Sequence, residues 1–230
     1  MLVLGIDTAT AIASVGIASP AGPVVERTLG VKGNHARTTL PLIDEVLAAA
    51  SMRLKDLRRI AVSIGPGSFT GLRIGLSVAK GLGMATGLPV VGVATLDAYA
   101  SAAGQRQGTV IAVLDARKGE VYAAGYRWRD SELVRTFGPI AVIPALLIER
   151  LAAPCTLIGD GVDAYEALWR SVPAVVEALR LSERPPSGAA VAALGARGDA
   201  EPLELLEPIY CRAAEAEVHL ERRLASLSTG

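Results

Sequence analysis

The sequence predicts an α/β chain built twice over, two strand-rich halves of which the second is the shorter. Three observations carry this. Val3-Leu-Gly-Ile-Asp7 matches Ile111-Ala-Val-Leu-Asp115, each an apolar strand closed by an aspartate and followed by a tight turn and a strand carrying a glycine, Gly16 or Gly125. Ile64-Gly-Pro-Gly67 matches Ile158-Gly-Asp-Gly161, each between a strand and a helix. Asp115 follows Asp7 by 108 positions and Ile158 follows Ile64 by 94, so the second copy is compressed. Separately from the repeat, the helix after Gly67 carries Gly71, Gly75, Ala79, Gly83 and Gly87 at every fourth position. That spacing lays a stripe of bare backbone along one side. Each interior glycine costs about 1 kcal/mol relative to alanine, so the stripe implies a close neighbour: the sheet beneath, another helix, or a second protein.

The elements follow in order. Leu2–Ile6 is a continuous apolar run ending at Asp7, and Ala11–Ala18 follows a turn of small residues. Ser19-Pro-Ala-Gly-Pro23 turns the chain into Val24–Leu29. Thr39 is read as a helix cap, with Pro41 in the first turn and Leu40, Ile43, Val46, Leu47 and Ala50 on the apolar face. Ile60–Ile64 is the next strand, and the striped helix runs to about Ala85, with Ser68 or Thr70 capping it. Gly87-Leu-Pro89 stops it before the strand Val90–Val93. Thr95 or Asp97 starts a helix over Ala98 to Ala103, and Gly104-Gln-Arg-Gln-Gly108 is the junction between lobes 1–104 and 105–212.

Beyond the junction the pattern restarts. Thr109–Leu114 ends in Asp115, Arg117-Lys118-Gly119 makes a charged turn, and Glu120–Tyr126 is a strand. Thr156–Ile158 leads through Gly159-Asp-Gly161 into a helix from about Asp163 to Trp169. Residues 213–230 form a charged, then serine-rich tail compatible with a helix.

A chain of 230 residues with 51% hydrophobic content and a mean hydropathy of +0.40 describes a well-filled globule. At this size about 70% of the unfolded surface is buried. The most apolar stretch, Pro139 to Ile148, is too short for a bilayer and is broken by Pro139 and Pro144. The N-terminus lacks a basic start, and Asp7 interrupts its apolar segment, so no export signal is expected. With only Cys155 and Cys211, a reduced cytoplasmic setting follows and a four-cysteine zinc site is excluded. The 23 basic residues balance the 23 acidic ones, so no global field draws the chain to nucleic acid.

Two mirrored lobes, each with an aspartate closing its first strand, suit a fold of the actin, hexokinase and Hsp70 type. There the acid holds Mg²⁺ through water and glycine turns offer N–H groups to phosphates. Asp7, Thr8, Gly65, Gly67 and Ser68 in the first half, with Asp115, Gly159 and Gly161 in the second, are the candidate nucleotide loops. The other reading is that Asp7 and Asp115 only organise the turns behind them. No G-K-[ST] follows the first glycine turn, and Pro66 removes a donor that a phosphate site would use. His35 and His219 are the two histidines, neither within a metal-ligand or nucleophile–base pattern.

Ile6-Asp-Thr-Ala-Thr10, Gly65-Pro-Gly-Ser-Phe-Thr-Gly-Leu-Arg-Ile-Gly75 with Ala79-Lys-Gly-Leu82, and Leu114-Asp-Ala-Arg-Lys-Gly-Glu-Val-Tyr122 resemble the TsaB (YeaZ) family. The resemblance covers positions 1 to about 212. It implies a duplicated actin-like (ASKHA, ribonuclease H-like) two-lobe fold with a reduced second lobe. It also implies the non-catalytic paralogue of TsaD in bacterial tRNA threonylcarbamoyladenosine synthesis. TsaD carries a metal-binding HxxxH; laid on this chain, the pattern puts Thr95 and Tyr99 where its histidines sit, and neither replaces an imidazole. The resemblance therefore implies a scaffold without cofactor or metal. Its partners are a TsaD-type catalytic paralogue and a TsaE-type ATPase, with a homodimer when alone and tRNA met only indirectly. The expected interface comprises His35, Thr39, Leu40 and Ile43 on one helix, and Gly71, Leu72, Gly75, Ala79 and Gly83 on the striped one. The alternatives are a small Mg-ATP-dependent kinase or phosphatase of the same fold and, disfavoured for want of HxxxH, a metallopeptidase-like hydrolase.

Overall fold

The computed structural model describes residues 1–30 and 33–211. The tail at 213–230 and His219 lie outside the described residues. Two five-stranded mixed sheets form the centre. The first contains β1 (Val3–Asp7), β2 (Ile12–Ser19), β3 (Gly22–Gly30), β4 (Arg59–Gly65) and β5 (Val90–Ala94), in the order β3-β2-β1-β4-β5. The second contains β6 (Thr109–Arg117), β7 (Glu120–Arg129), β8 (Glu132–Val142), β9 (Cys155–Ile158) and β10 (Val175–Leu179). Its order, β10-β9-β6-β7-β8, is the same one read from the other edge. In both sheets the first strand is antiparallel to the second and parallel to the fourth. The chain has the duplicated actin-like α/β architecture.

The reduction of the second half lies in its helices. The first half carries α1 (His35–Ala49, 15 residues), α2 (Phe69–Thr86, 18 residues) and α3 (Thr95–Ala103). The second carries α4 (Pro144–Ile148), α5 (Asp160–Ala164), α6 (Glu166–Trp169) and α7 (Gly188–Gly195). The helix expected over Asp163 to Trp169 is thus two short ones, the first starting at Asp160. Strands β8 and β10 and helices α4 and α7 are absent from the sequence reading. Pro139 disguised β8, which tolerates a proline because it is an edge strand.

Thr39 is not a cap. Helix α1 begins at His35, and the Thr39 hydroxyl donates to the His35 carbonyl (2.7 Å) within the helix. Pro41 is therefore interior, and exposed on the outer side.

Each half lends a helix to the other's sheet. Leu96, Tyr99 and Ala100 of α3 pack on Val110, Ala112 and Leu114 of the second sheet. Val191 and Ala192 of α7 pack on Val3 and Ala61 of the first. Glycine makes the second exchange feasible: a Cβ on Gly5 would overlap the Gly188 carbonyl and the Ala192 amide. Both ends of α7 are held by charges that complement its dipole. Glu26 Oε1 accepts from the Ser187 hydroxyl and the Ala189 amide, both at 2.8 Å. Arg59 Nη1 donates to the carbonyls of Gly195 (2.8 Å) and Gly198 (2.6 Å).

The packing faces correct the repeat by one residue. Leu4 and Ile6 face the half's own helices α1 and α2, whereas Val3 and Gly5 face the borrowed α7. In the second sheet Ile111 and Val113 face its own α5 and α6, and Ala112 and Leu114 face the borrowed α3. The pair Gly5↔Gly16 thus corresponds to Ala112↔Ala124, and Leu114, not Asp115, stands at the place of Asp7. The glycines Gly16 and Gly125 are likewise not equivalent.

Candidate functional site

Asp7 is sealed into the first half. Its Oδ2 accepts from the Ser63 hydroxyl at 2.7 Å, its Oδ1 from the Ala9 amide at 2.9 Å, and it has no exposed surface. Burial pushes its carboxyl pKa upward, and the two hydrogen bonds oppose that shift only in part. Its oxygens serve the turn and strand β4. The Ala9 bond is the turn-organising contact that one of the two sequence readings expects.

The turn after Asp7 lies directly on the glycine loop. The Thr8 hydroxyl donates to the Gly71 carbonyl (2.8 Å), and the Ser68 amide donates to the Ala9 carbonyl (2.7 Å). Ser68 caps α2 by accepting from the Gly71 amide at 3.2 Å. A Cβ on Gly67 would collide with Ala9, on Gly71 with the Thr8 carbonyl, on Gly75 with the Thr8 hydroxyl, and on Gly83 with Val90. The glycine stripe therefore seats α2 against its own β1–β2 turn and β5. Gly87, the last of the series, takes φ +71° and ends the helix. Gly65, at φ +119°, has the Ile209 carbonyl where a Cβ would go, and its amide donates to the Thr95 hydroxyl at 3.0 Å. Thr8 and Gly65 are thus packed by the chain itself, whereas Gly67, half-buried, and Ser68, exposed, line the cleft between the halves.

These contacts correct the expected interface. His35, Thr39, Ile43, Gly71, Leu72, Gly75, Ala79 and Gly83 are all buried within the chain. Of the nine residues, Leu40 alone reaches solvent, at 49% exposure. Spacing identified a face of α2 but not its direction, because Thr8, 63 residues upstream of Gly71, decides it. His35 stands at the start of α1 against the Thr10 carbonyl; burial lowers its pKa, and that hydrogen bond acts the other way.

In the second half, Asp115 Oδ1 accepts from the Arg117 amide (2.8 Å), and its Oδ2 pairs with Arg117 Nη1 (3.1 Å). The Asp115 amide donates to Asp160 Oδ1 at 2.8 Å. Asp160 titrates at about 6, raised chiefly by burial and further by the charge of Asp115, while the hydrogen bond from the Asp115 amide lowers it. Gly159, also at φ +119°, and Gly161 let α5 approach the Val113 carbonyl. Asp115, Asp160, Arg117, His35 and Thr10 line a cleft of about 690 Å³ between the halves. Tyr99 lies buried behind it, its hydroxyl 3.4 Å from that of Thr10, and burial with the charges of Asp7 and Asp160 raises its pKa strongly. So Asp7 and Asp115 do not form a mirrored pair across this cleft.

A second feature lies outside the cleft. The outer face of α1 and α2 exposes Ala36, Leu40, Phe69, Arg73 and Ser77, with a groove of about 470 Å³ between the helices. Ile209 hydrogen-bonds through its amide to the Ile64 carbonyl (2.6 Å) and brings Tyr210 against Phe69, ring centroids 5.3 Å apart. No local signal joins Phe69 to Tyr210, and the sequence reading missed both. Among the described residues, no group of three or more His, Cys, Asp or Glu is arranged to hold a metal. No helix there is long and apolar enough to cross a membrane.

A family model described as TsaD, tRNA N6-adenosine threonylcarbamoyltransferase, matches residues 28–220. The tRNA threonylcarbamoyladenosine biosynthesis protein TsaB of Escherichia coli K12 is 34% identical over 178 residues, covering 74% of this chain and 76% of that one. The solved structure of YeaZ from Pseudomonas aeruginosa is 29% identical with a TM-score of 0.76, covering 91% of this chain and 99% of that one. The ethanolamine utilization protein EutJ from Carboxydothermus hydrogenoformans shares the fold alone, at 15% identity and a TM-score of 0.54 over 85% of this chain and 90% of that one.

Proposed function

The chain belongs to the TsaB family of tRNA threonylcarbamoyladenosine biosynthesis proteins, and on that premise we propose that it is a non-catalytic subunit supporting a TsaD-type threonylcarbamoyltransferase. The step it serves is formation of N6-threonylcarbamoyladenosine beside the anticodon of tRNA. The observation that carries the non-catalytic part is the fate of the polar groups at the reactive address. Asp7 spends both oxygens on Ser63 and Ala9, Thr95 accepts from Gly65, and Tyr99 is buried against Thr10. Asp7 and Thr95 have no exposed surface and Tyr99 is 2% exposed, so none of the three is presented to a substrate or an ion from solvent. The same sealing of Asp7 argues against the Mg-ATP kinase alternative.

The partner surface is the outer face of α1 and α2 at Ala36, Leu40, Phe69 and Arg73, in place of the inward stripe. The TsaD-type paralogue docks there, a second copy occupies the same face when the paralogue is absent, and the assembled pair recruits the TsaE-type ATPase. Contact with tRNA runs through the partner, and the setting is cytoplasmic. Reconstitution tests this: the chain alone is expected to leave unmodified tRNA unchanged, and the paralogue with its ATPase to need the chain for full activity. Threonylcarbamoylation by the purified chain alone would overturn the reading.

A further inference from the structure

Arg73 stands at the mouth of the α1–α2 groove in a fixed pose. Its guanidinium lies 3.7 Å from the centroid of the Phe69 ring. Its Nε donates to the Tyr210 hydroxyl at 3.0 Å, and Tyr210 is itself anchored by the bond from Ile209 to Ile64. Arg73 is exposed, its ring contact and its Nε hydrogen bond use neither terminal amino group, and it makes no ion pair among the described residues. An arginine normally loses much rotamer freedom when it binds a carboxylate; here the chain has already fixed it. The groove beside it is lined by Ile74 and Val78 with the smaller Ala36 and Ser77, a mostly apolar surface for a helix to pack on. On α1, Arg37 is exposed near the start, and Asp44 and Glu45 are exposed about two turns further along, so Arg73 is the cation that lines the groove itself.

We infer that Arg73 is a preorganised anchor for a carboxylate carried on an apolar helix of the partner subunit, with Phe69 and Tyr210 as its positioning residues. This rests on the partner reading above and adds the chemistry of what docks. An apolar groove with a cationic rim is complementary to an apolar helix with an acidic edge. The two terminal amino groups of a guanidinium, neither of them hydrogen-bonded within the described residues here, can pair with the two oxygens of one carboxylate.

The full-length chain and the TsaD-type transferase of the same cell are titrated at 50 and 300 mM NaCl. Arg73→Glu is expected to weaken binding about tenfold or more. Arg73→Gln is expected to lose most of the salt dependence shown by the natural chain. Tyr210→Phe, which keeps the ring and frees Nε, should show a smaller loss of the same sign. Because Arg73 is exposed, thermal melts of the variants should match the natural chain; if Arg73→Glu melts early, the salt response of Arg73→Gln decides. Unchanged affinity and unchanged salt response would overturn the inference while leaving the partner reading intact. Loss confined to self-association, or to tRNA binding by the assembled complex, would also overturn it. Failure of the natural chain to bind the transferase at all would instead remove the partner reading.

Discussion

Asp7 and Asp115 end matching apolar runs, yet they project from opposite sides of their sheets. Asp7 looks toward the borrowed helices, where its charge is felt by Tyr99; Asp115 looks toward its own half's helices, where its charge is felt by Tyr165. Because side chains alternate along a strand, an alignment wrong by one residue exchanges the two faces completely. With Leu114 at the place of Asp7, the strand registers put Asp160 at the place of Ser63. The first half buries a carboxylate with a hydroxyl donor beside it, and the second half fills the same address with leucine. The duplication preserved backbone order and relinquished the polar pair. The helices diverged in parallel: α1 and α2 run 15 and 18 residues, while α4, α5 and α6 run 5, 5 and 4. Among the described residues the two longest helices belong to the first half, which is also the half that hydrogen-bonds its glycine loop to the turn after Asp7.

The comparison breaks most readily at Gly5. Gly5→Ala should cost about 3 kcal/mol or more, because the new methyl meets backbone of α7 that cannot move without its caps. Ala112→Gly, the counterpart under α3, should cost about 1 kcal/mol or less. Urea midpoints compare the two; equal losses would show that the faces have been paired wrongly. A second contrast lies within α2. Gly75→Ala should destabilise by about 2 kcal/mol through collision with Thr8. Gly81→Ala, exposed and with open space at its Cβ, should stabilise by about 0.5–1 kcal/mol. Melting temperatures moving in opposite directions would sharpen the assignment of the stripe to the interior.

The smallest effect depends on pH. Asp160 titrates at about 6 when folded, above its ordinary value of 3.8. A carboxyl whose folded pKa is raised binds its proton more tightly in the folded state, so it costs nothing below about pH 4. It destabilises progressively as pH climbs through 6, then by a constant amount. Asp160→Asn keeps the acceptor for the Asp115 amide. It should match the natural chain near pH 4 and exceed it by about 1–2 kcal/mol at pH 8, after allowance for partial exposure. Chemical denaturation at the two pH values checks this; a gain at pH 4 as large as at pH 8 would refute it.

Much of the fold was legible in the chain. Apolar runs such as Val3–Asp7 and Thr109–Leu114 are fully buried strands, and they read as such because both faces are covered. The glycine turns were legible because glycine marks backbone that other residues avoid. Strand β10 and helix α7 were not, since Val175–Leu179 alternates weakly and Gly188–Gly195 is apolar all round. Of the site, Ser68 as a cap was readable from local spacing, whereas the inward direction of Gly75 and the Phe69–Arg73–Tyr210 cluster were not.

By itself the sequence determined two βα-rich halves, a helix with one smooth side, and a family resemblance resting on contiguous motifs. These are properties of neighbours along the chain, where spacing fixes geometry. Tertiary structure alone decided which side of that helix faces inward, which helix each sheet borrows, and which aspartate is sealed. Those outcomes depend on Thr8 meeting Gly71, Gly188 meeting Gly5, and Ser63 meeting Asp7. Such contacts join residues tens to hundreds of positions apart, and no local periodicity encodes them.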